Sequence, residues 1–280
     1  ADSMLERVIE ERTKGDASGA GAVRAEITAV IGDNLHGLKP GSAPAMALKE
    51  VLKAKGWWSA YLEVGIGPDA EVFTKAPVMG AVGPGALVGI RSDSSWNNPE
   101  PEVVLAVNAR GETVGVSLGN DVNLRDIEGR SALLLGKAKD NNASCAIGPF
   151  IRLFDATFGM DDVRQMTLDL QVAGDDGYAL QGENQMSRIS RDPLDLVAQT
   201  ISAHHYPDGF MLFTGTLFAP TKDRDAPGAG FTHHVGDVVR IRNGWLGELC
   251  NQVTHAETAP PWHFGVRALM RNLAQRGLLG

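Results

Sequence analysis

Two textures of apolar and polar positions divide the chain. Residues 1–60 carry helical spacing. Leu5, Val8 and Ile9 form an apolar stripe, Ala22 to Ile31 is mixed, and Ala45 to Ala54 reads as an amphipathic helix entered through Pro44 and closed by Gly56. From Val72 onward, short apolar or alternating runs are cut by Gly and Pro. Strands are expected at Val82 to Ile90, Val103 to Val107, Val114 to Leu118, Met166 to Val172, Phe210 to Thr214, Val238 to Ile241 and Gly247 to Val253. Asp192 to Ser202 reads as one helix within this β region, its Asp-Pro start supplying a cap. Phe264 to Leu279 reads as an amphipathic C-terminal helix. The expected organisation is a helical N-terminal segment, 1–70, followed by a β-rich domain, 71–280, in an α+β chain without internal repeats.

The β region holds one constellation that carries chemistry. Glu100 and Glu102 stand at the mouth of an apolar strand, and side chains at i and i+2 of a strand share a face, so both acids project together. Taken alone, a strand with a solvated face explains Glu-x-Glu as well as a metal site does. A divalent cation such as Mg²⁺ is the other explanation, because hard cations take oxygen ligands and leave room for water and substrate. Asp121 sits on the next apolar run, after a turn at Asn108 to Glu112 that fits a hairpin, so a third carboxylate can approach the first two. Lys139 follows in a polar interruption. Thr214-Gly215-Thr216 ends a later apolar run and offers hydroxyls and a flexible backbone.

Composition narrows the partners. With 34 acidic and 26 basic residues, a net charge of −8 and no basic block, nucleic acid and anionic membranes are excluded as partners. No apolar stretch spans a bilayer and no signal-peptide pattern opens the chain, so a cytoplasmic location is expected. Cys145 and Cys250 lack CxxC spacing and read as buried free thiols. The chain opens on Ala1 inside an expected helix, and an upstream part of the natural chain is expected.

Taken in order, Glu100-Pro-Glu102, Gly119-Asn-Asp121 with Arg125-Asp126, Lys139 before Ala143-Ser-Cys145, Thr214-Gly-Thr216 and Val235-Gly-Asp-Val-Val239 resemble the fumarylacetoacetate hydrolase superfamily over Val72 to Val253. The resemblance implies a mixed β-roll or β-sandwich whose pocket binds Mg²⁺ or Mn²⁺, with no organic cofactor. Glu100, Glu102 and Asp121 fall on the metal ligands. In the family the metal holds a 2-oxo acid, polarises its carbonyl and stabilises an enolate. Lys139 falls on the pocket lysine, expected to have a depressed pKa and to act as base or proton shuttle; Lys137 reads as solvated or salt-bridged. Arg125 and Asp126 match a family pair expected to form a buried bridge. Residues 181–187 resemble a flexible lid. None of His204, His205, His233, His234 and His255 matches a ligand role, and the His233-His234 pair reads as surface or loop.

One departure matters. Hydrolases of the superfamily carry a His three residues before a Glu, a dyad that activates water; here Ser3 stands at the His position with Glu6 retained, and Ser-x-x-Glu is also a capping box. The runs Glu63 to Pro77 and Arg91 to Asn98 resemble the branch that dehydrates 2-keto-3-deoxy sugar acids. That resemblance implies conversion of a 2-keto-3-deoxy-pentonate to 2,5-dioxopentanoate. Lys139 would take the C3 proton and Glu71 would protonate the leaving hydroxyl. Arg91, Ser95, Asn97, Asn123, Asp140 and Thr216 are the candidate contacts to the sugar acid. The alternative is C–C cleavage of an acylpyruvate or diketo acid, or oxaloacetate decarboxylation, at the same metal. A homodimer or homotetramer is expected by the same analogy.

Overall fold

The computed structural model describes residues 38–279 except 219, 221, 228 and 229, together with Ala25 and residues 27–29. Ser3, Glu6 and the stripe at Leu5, Val8 and Ile9 lie outside the described residues. The chain divides into two compact units, residues 1–72 with 190–204 and residues 73–189 with 205–280. No described helix is long and apolar enough to cross a membrane.

In the first unit, α1 (Ala43–Ala54) starts where Ser42 Oγ accepts the Ala45 N–H at 3.4 Å, with Pro44 in its first turn. It ends at Gly56, whose φ of +67° suits a residue without Cβ. Ala45, Leu48 and Leu52 share one face and pack with Ile27, Leu38, Leu62 and Ile66. α2 (Ala60–Ile66) is capped by Ser59, and its last carbonyls are not left bare. The buried Arg191 guanidinium donates to Val64 O, Gly67 O and Asp69 O, each at 2.9 Å. Arg191 leads into the helix Pro193–Ile201, whose Gln199 accepts the Ala70 N–H at 2.7 Å. This helix was expected inside the β region; these bonds make it part of the first unit.

The second unit is built on β1 (Leu87–Ile90), β2 (Asn97–Asn98), β3 (Pro101–Val107), β4 (Thr113–Asp121), β5 (Asn123–Leu124), β6 (Cys145–Leu153), β7 (Thr167–Ala173), β8 (Ala179–Gln185), β9 (Phe210–Phe213), β10 (Val238–Asn243) and β11 (Gly247–His255). One sheet runs β1-β11-β10-β7-β8, another β6-β4-β3-β9, and β2 pairs with β5. Among the named strands β1 and β11 pair in parallel and the other pairs are antiparallel, so the fold is a mixed α+β one. All seven residues of β3 are buried. That burial explains its unbroken apolar pattern after Glu102.

The β3–β4 connection is the hairpin expected at Asn108 to Glu112. Asn108 Oδ1 accepts from Arg110 N and Glu112 N, and Gly111 takes φ +76°. Four strands escaped the pattern, the two-residue β2 and β5 and the longer β6 and β8. β6 contains Pro149, which argues against a strand, and it is tolerated because β6 is a sheet edge with a register shift opposite Val116 to Leu118. β8 occupies most of residues 181–187. The segment that resembled a lid is therefore a paired strand, with Gly182 opposite Leu170.

His233 lies in a loop, as expected, but not at the surface. It is buried, with Nδ1 3.0 Å from Asp237 Oδ2, while Arg224 donates to both Asp237 oxygens at 2.6 and 2.8 Å. Burial pushes the His233 imidazole below its usual 6.5. Burial works against the Asp237 carboxylate too, but the His233 and Arg224 bonds outweigh it and hold the group at about 2. Both depressed values make acid destabilising: His233 contributes fully above 6.5 and loses its contribution as pH falls below that, and Asp237 follows between 3.8 and about 2. Unfolding free energy of the wild type should therefore fall below pH 6.5, by at most ~1.4 kcal/mol per pH unit for one group. Denaturant titrations should show His233→Leu with a flatter slope between about pH 6.5 and pH 5; an unchanged slope would exclude His233 as its source.

Candidate metal centre

Antiparallel pairing of β3 with β4 brings the acidic residues together. Glu102 lies opposite Gly119 and Pro101 opposite Asn120, and the ladder extends one step as Asp121 N–H donates to Glu100 O at 3.0 Å. Carboxylate oxygens of Glu100, Glu102 and Asp121 come within 4.8 Å of one another. Gly119 is required by this packing: a Cβ there would sit 2.4 Å from side-chain atoms of both Val104 and Phe213. Gly215 is required as well, since its φ of +85° turns its N–H onto Glu102 Oε2 at 2.6 Å.

Lys139 ends α4 (Leu135–Lys139), and its buried ammonium lies 2.6 Å from Glu100 Oε2 and 3.2 Å from Asp121 Oδ2. Burial alone would lower the pKa of Lys139, but the Glu100, Asp121 and Glu128 carboxylates overcome it and the net direction is up. The expected depression is thus reversed, because the ammonium is ion-paired. Burial raises Glu100, and raises Glu102 well above the usual range with the Asp121 and Glu100 charges adding to it. Among the described residues no cation lies within ion-pair distance of Glu102.

This donor set fits a divalent metal. Three hard oxygen donors converge without thiol or imidazole, as Mg²⁺ or Mn²⁺ prefers. Buried polar atoms without a hydrogen-bond partner lie on two residues bonded to Glu100, at Asn120 Nδ2 and Asn123 Oδ1. Such orphans are rare away from ligand sites.

The remaining sequence candidates are distributed unevenly. Asn123 belongs to the cluster, its Nδ2 donating to Glu100 Oε1 at 2.9 Å and to Glu128 Oε2 at 2.8 Å. Asn97 is buried and its amide is spent internally, on Ser94 Oγ and the His233 N–H. Ser95 N–H and Oγ both face Asp126, which also accepts from Ser94 Oγ at 2.7 Å. Asp126 therefore holds this turn rather than bridging to Arg125, whose guanidinium stacks 4.7 Å from the Trp96 ring. Arg91 donates to Asp93 at 2.7 Å and to Asn141, and Lys137 pairs with the same Asp93 at 2.9 Å, as a salt-bridged residue should. Thr216 Oγ1 accepts the Phe218 N–H, so Gly215 is the member of its triplet that touches the carboxylates. Asp140 caps α4 and is exposed, and Glu71 is exposed in the first unit.

A family model for the fumarylacetoacetate (FAA) hydrolase C-terminal matches residues 66–254. The chain belongs to this family. Relatives in the family include a Haloferax volcanii protein named "Probable 2-keto-3-deoxyxylonate dehydratase", 31% identical over 194 residues, covering 69% of this chain and 63% of that one. A 2-dehydro-3-deoxy-D-arabinonate dehydratase of Saccharolobus solfataricus is 29% identical over 183 residues, covering 65% of this chain and 58% of that one. The chain thus spans less than two thirds of these relatives' length. A solved structure of 2-keto-3-deoxy-D-arabinonate dehydratase complexed with magnesium and 2,5-dioxopentanoate superposes with a TM-score of 0.61 at 28% identity, covering 70% of this chain and 66% of that one.

Two groups near the cluster had no assigned role from sequence. Glu128 closes α3 (Arg125–Glu128) and shares the Asn123 amide with Glu100. Lys75 is buried with its ammonium 2.7 Å from Asp121 Oδ1. A lone Lys between Phe73-Thr74 and Ala76-Pro77 was the available signal.

Asp121→Asn and Glu102→Gln should each weaken Mn²⁺ binding by about 100-fold, at or beyond the loss seen when a metal ligand's outer partner is removed. Titration calorimetry checks this against circular dichroism of the fold; unaltered affinity would take that residue out of the donor set.

Proposed function

We propose that the protein is a Mg²⁺-dependent hydro-lyase that converts a 2-keto-3-deoxy-pentonate, derived from xylonate or arabinonate, into 2,5-dioxopentanoate and water. The observation carrying this reading is the ammonium of Lys139 set among the carboxylates, 2.6 Å from Glu100 and 3.2 Å from Asp121. A proton carrier thereby stands beside the oxygens that would hold a cation. The relatives named as pentonate dehydratases, and the one solved with magnesium and 2,5-dioxopentanoate, support the substrate class.

Bound Mg²⁺ would supply the Lewis-acid pull on the 2-keto oxygen that makes the C3 hydrogens acidic. The chain's own groups then divide the proton work. In this reading Lys139, once a bound cation takes over the carboxylates that hold its ammonium, gives up its proton and then takes one from C3, and the C4 hydroxyl departs as water on receiving a proton from a carboxylic acid. Shift of the double bond to C4 and C5 leaves an enol whose tautomer is the aldehyde, so one water is lost and no redox partner is needed.

Glu71 is our candidate for the acid. It stands four residues before Lys75 in the chain, and the ammonium of Lys75 contacts Asp121. Glu128 is the competing acid, because it shares the Asn123 amide with Glu100.

Purified protein with Mg²⁺ and 2-keto-3-deoxy-D-xylonate should yield 2,5-dioxopentanoate, and EDTA should abolish the reaction. Absence of product, or cleavage of acylpyruvates instead, would replace this reading with C–C hydrolysis. Lys139→Ala should abolish turnover. Glu71→Gln should cost about 100-fold in kcat, a usual size for loss of a general acid; if Glu128→Gln carries that loss and Glu71→Gln does not, the role belongs to Glu128.

A further inference from the structure

Each carboxylate of the cluster has one oxygen committed to a fixed partner. Glu100 Oε1 accepts from Asn123 Nδ2 at 2.9 Å, Glu102 Oε2 from Gly215 N at 2.6 Å, and Asp121 Oδ1 faces Lys75 Nζ at 2.7 Å. Among the described residues Glu102 Oε1 has no such partner, while Glu100 Oε2 and Asp121 Oδ2 share the Lys139 ammonium at 2.6 and 3.2 Å, which a bound cation would displace. We propose that these anchors make every carboxylate a one-oxygen ligand, and that Lys75 is the positioning residue which enforces this on Asp121 and aims Lys139. The inference rests on the metal-site reading given above and concerns residues of this chain.

Lys75 suits the task because all of its partners belong to the site's own supports. Besides its ion pair with Asp121 it donates to Val122 O at 3.0 Å, to Lys139 O and to Ser144 Oγ at 3.4 Å. Ser144 Oγ lies 2.8 Å from the same Lys139 carbonyl. One buried ammonium thus ties the strand that carries Asp121 to the helix end that carries Lys139. Six-coordinate Mg²⁺ or Mn²⁺ held by three single oxygens keeps about three positions for water or for a substrate's paired oxygens. An Asp121 released from Lys75 can offer both oxygens and close one of them.

Charge gives the inference an unusual sign. A lysine held for support alone should, when removed, loosen the site and weaken metal binding. Lys75 is also a positive charge against a metal ligand, and it repels an incoming cation through a partly desolvated medium. Removing it therefore favours the metal while harming the arrangement around it.

The test uses Mn²⁺ alone as probe, with the full chain. Lys75→Met should bind Mn²⁺ about tenfold more tightly by calorimetry, a change of ~1.4 kcal/mol. Water proton relaxation should report fewer exchangeable waters on the bound ion than in the wild type. At saturating metal its kcat should fall about 30-fold or more, within the range lost when a proton-transfer group is misplaced. Ser144→Ala, which removes a Lys139 anchor without altering charge, should lower kcat and leave Mn²⁺ affinity as in the wild type. Weakened or unchanged Mn²⁺ binding in Lys75→Met overturns the proposal. If that variant does not fold, Lys75→Gln carries the same expectation, and failure of both to fold makes Lys75 a folding residue and overturns it too. Should the wild type lack dehydratase activity, the Mn²⁺ affinity and water count still decide the role of Lys75.

Discussion

Three carboxylates drawn to within 4.8 Å of one another in a buried place are the constraint to which the second unit answers. Their mutual repulsion and lost hydration would spread them apart or protonate them, unless the backbone fixes them and cations attend them. The β3–β4 hairpin does the fixing, with Gly119 admitting the side chains of Val104 and Phe213 where any Cβ would collide. Lys139 and Lys75 supply the attending charge from opposite sides of Asp121, one on Oδ2 and the other on Oδ1. Glu102 is left with a backbone N–H alone. The asymmetry explains why burial and neighbouring charge raise Glu102 so far, and why an added divalent cation is the natural completion of the cluster.

Much of this was legible because it is written in short-range pattern. The i, i+2 rule puts Glu100 and Glu102 on one face, the Asn-Ala-Arg-Gly turn announces the hairpin, and together they deliver Asp121 to the right strand. The amphipathic run at Ala45 to Ala54 is likewise local, and its helix begins two residues earlier only because Ser42 supplies the cap. Strand boundaries erred by a few residues where polar ends join a buried ladder, as in β4, which carries its pairing on to Asp121. Local pattern is a poor guide to ladder length.

What stayed hidden depends on tertiary partners. β6 and β8 read poorly as strands because one contains Pro149 and the other is largely polar; β6 is stabilised by β4, distant in sequence, and β8 by the preceding β7. His233 belongs to a buried cluster in which it pairs with Asp237 four residues on, Arg224 pairs with the same Asp237, and the His233 N–H holds Asn97. A doubled histidine gives no sign of that. The pKa of Lys139 was misjudged for a related reason: its sign depends on how many carboxylates the fold gathers around the ammonium, and Glu128 adds to Glu100 and Asp121.

The separation of metal binding from reaction follows from the same geometry. Anchors on Glu100 Oε1, Glu102 Oε2 and Asp121 Oδ1 are all drawn from β5, the Thr-Gly-Thr turn and Lys75, and none of them selects a bond to break. A metal that held a 2-oxo acid by two oxygens would activate C3 whatever followed. Whether the next event is loss of the C4 hydroxyl or attack of water at a carbon to carbon bond depends on which acid or base faces C3 and C4. That choice can therefore change by substitution at one or two positions while the carboxylates, their anchors and Lys139 stay as they are. A family resting on one such cluster can hold both reactions, with the choice left to residues outside the donor set.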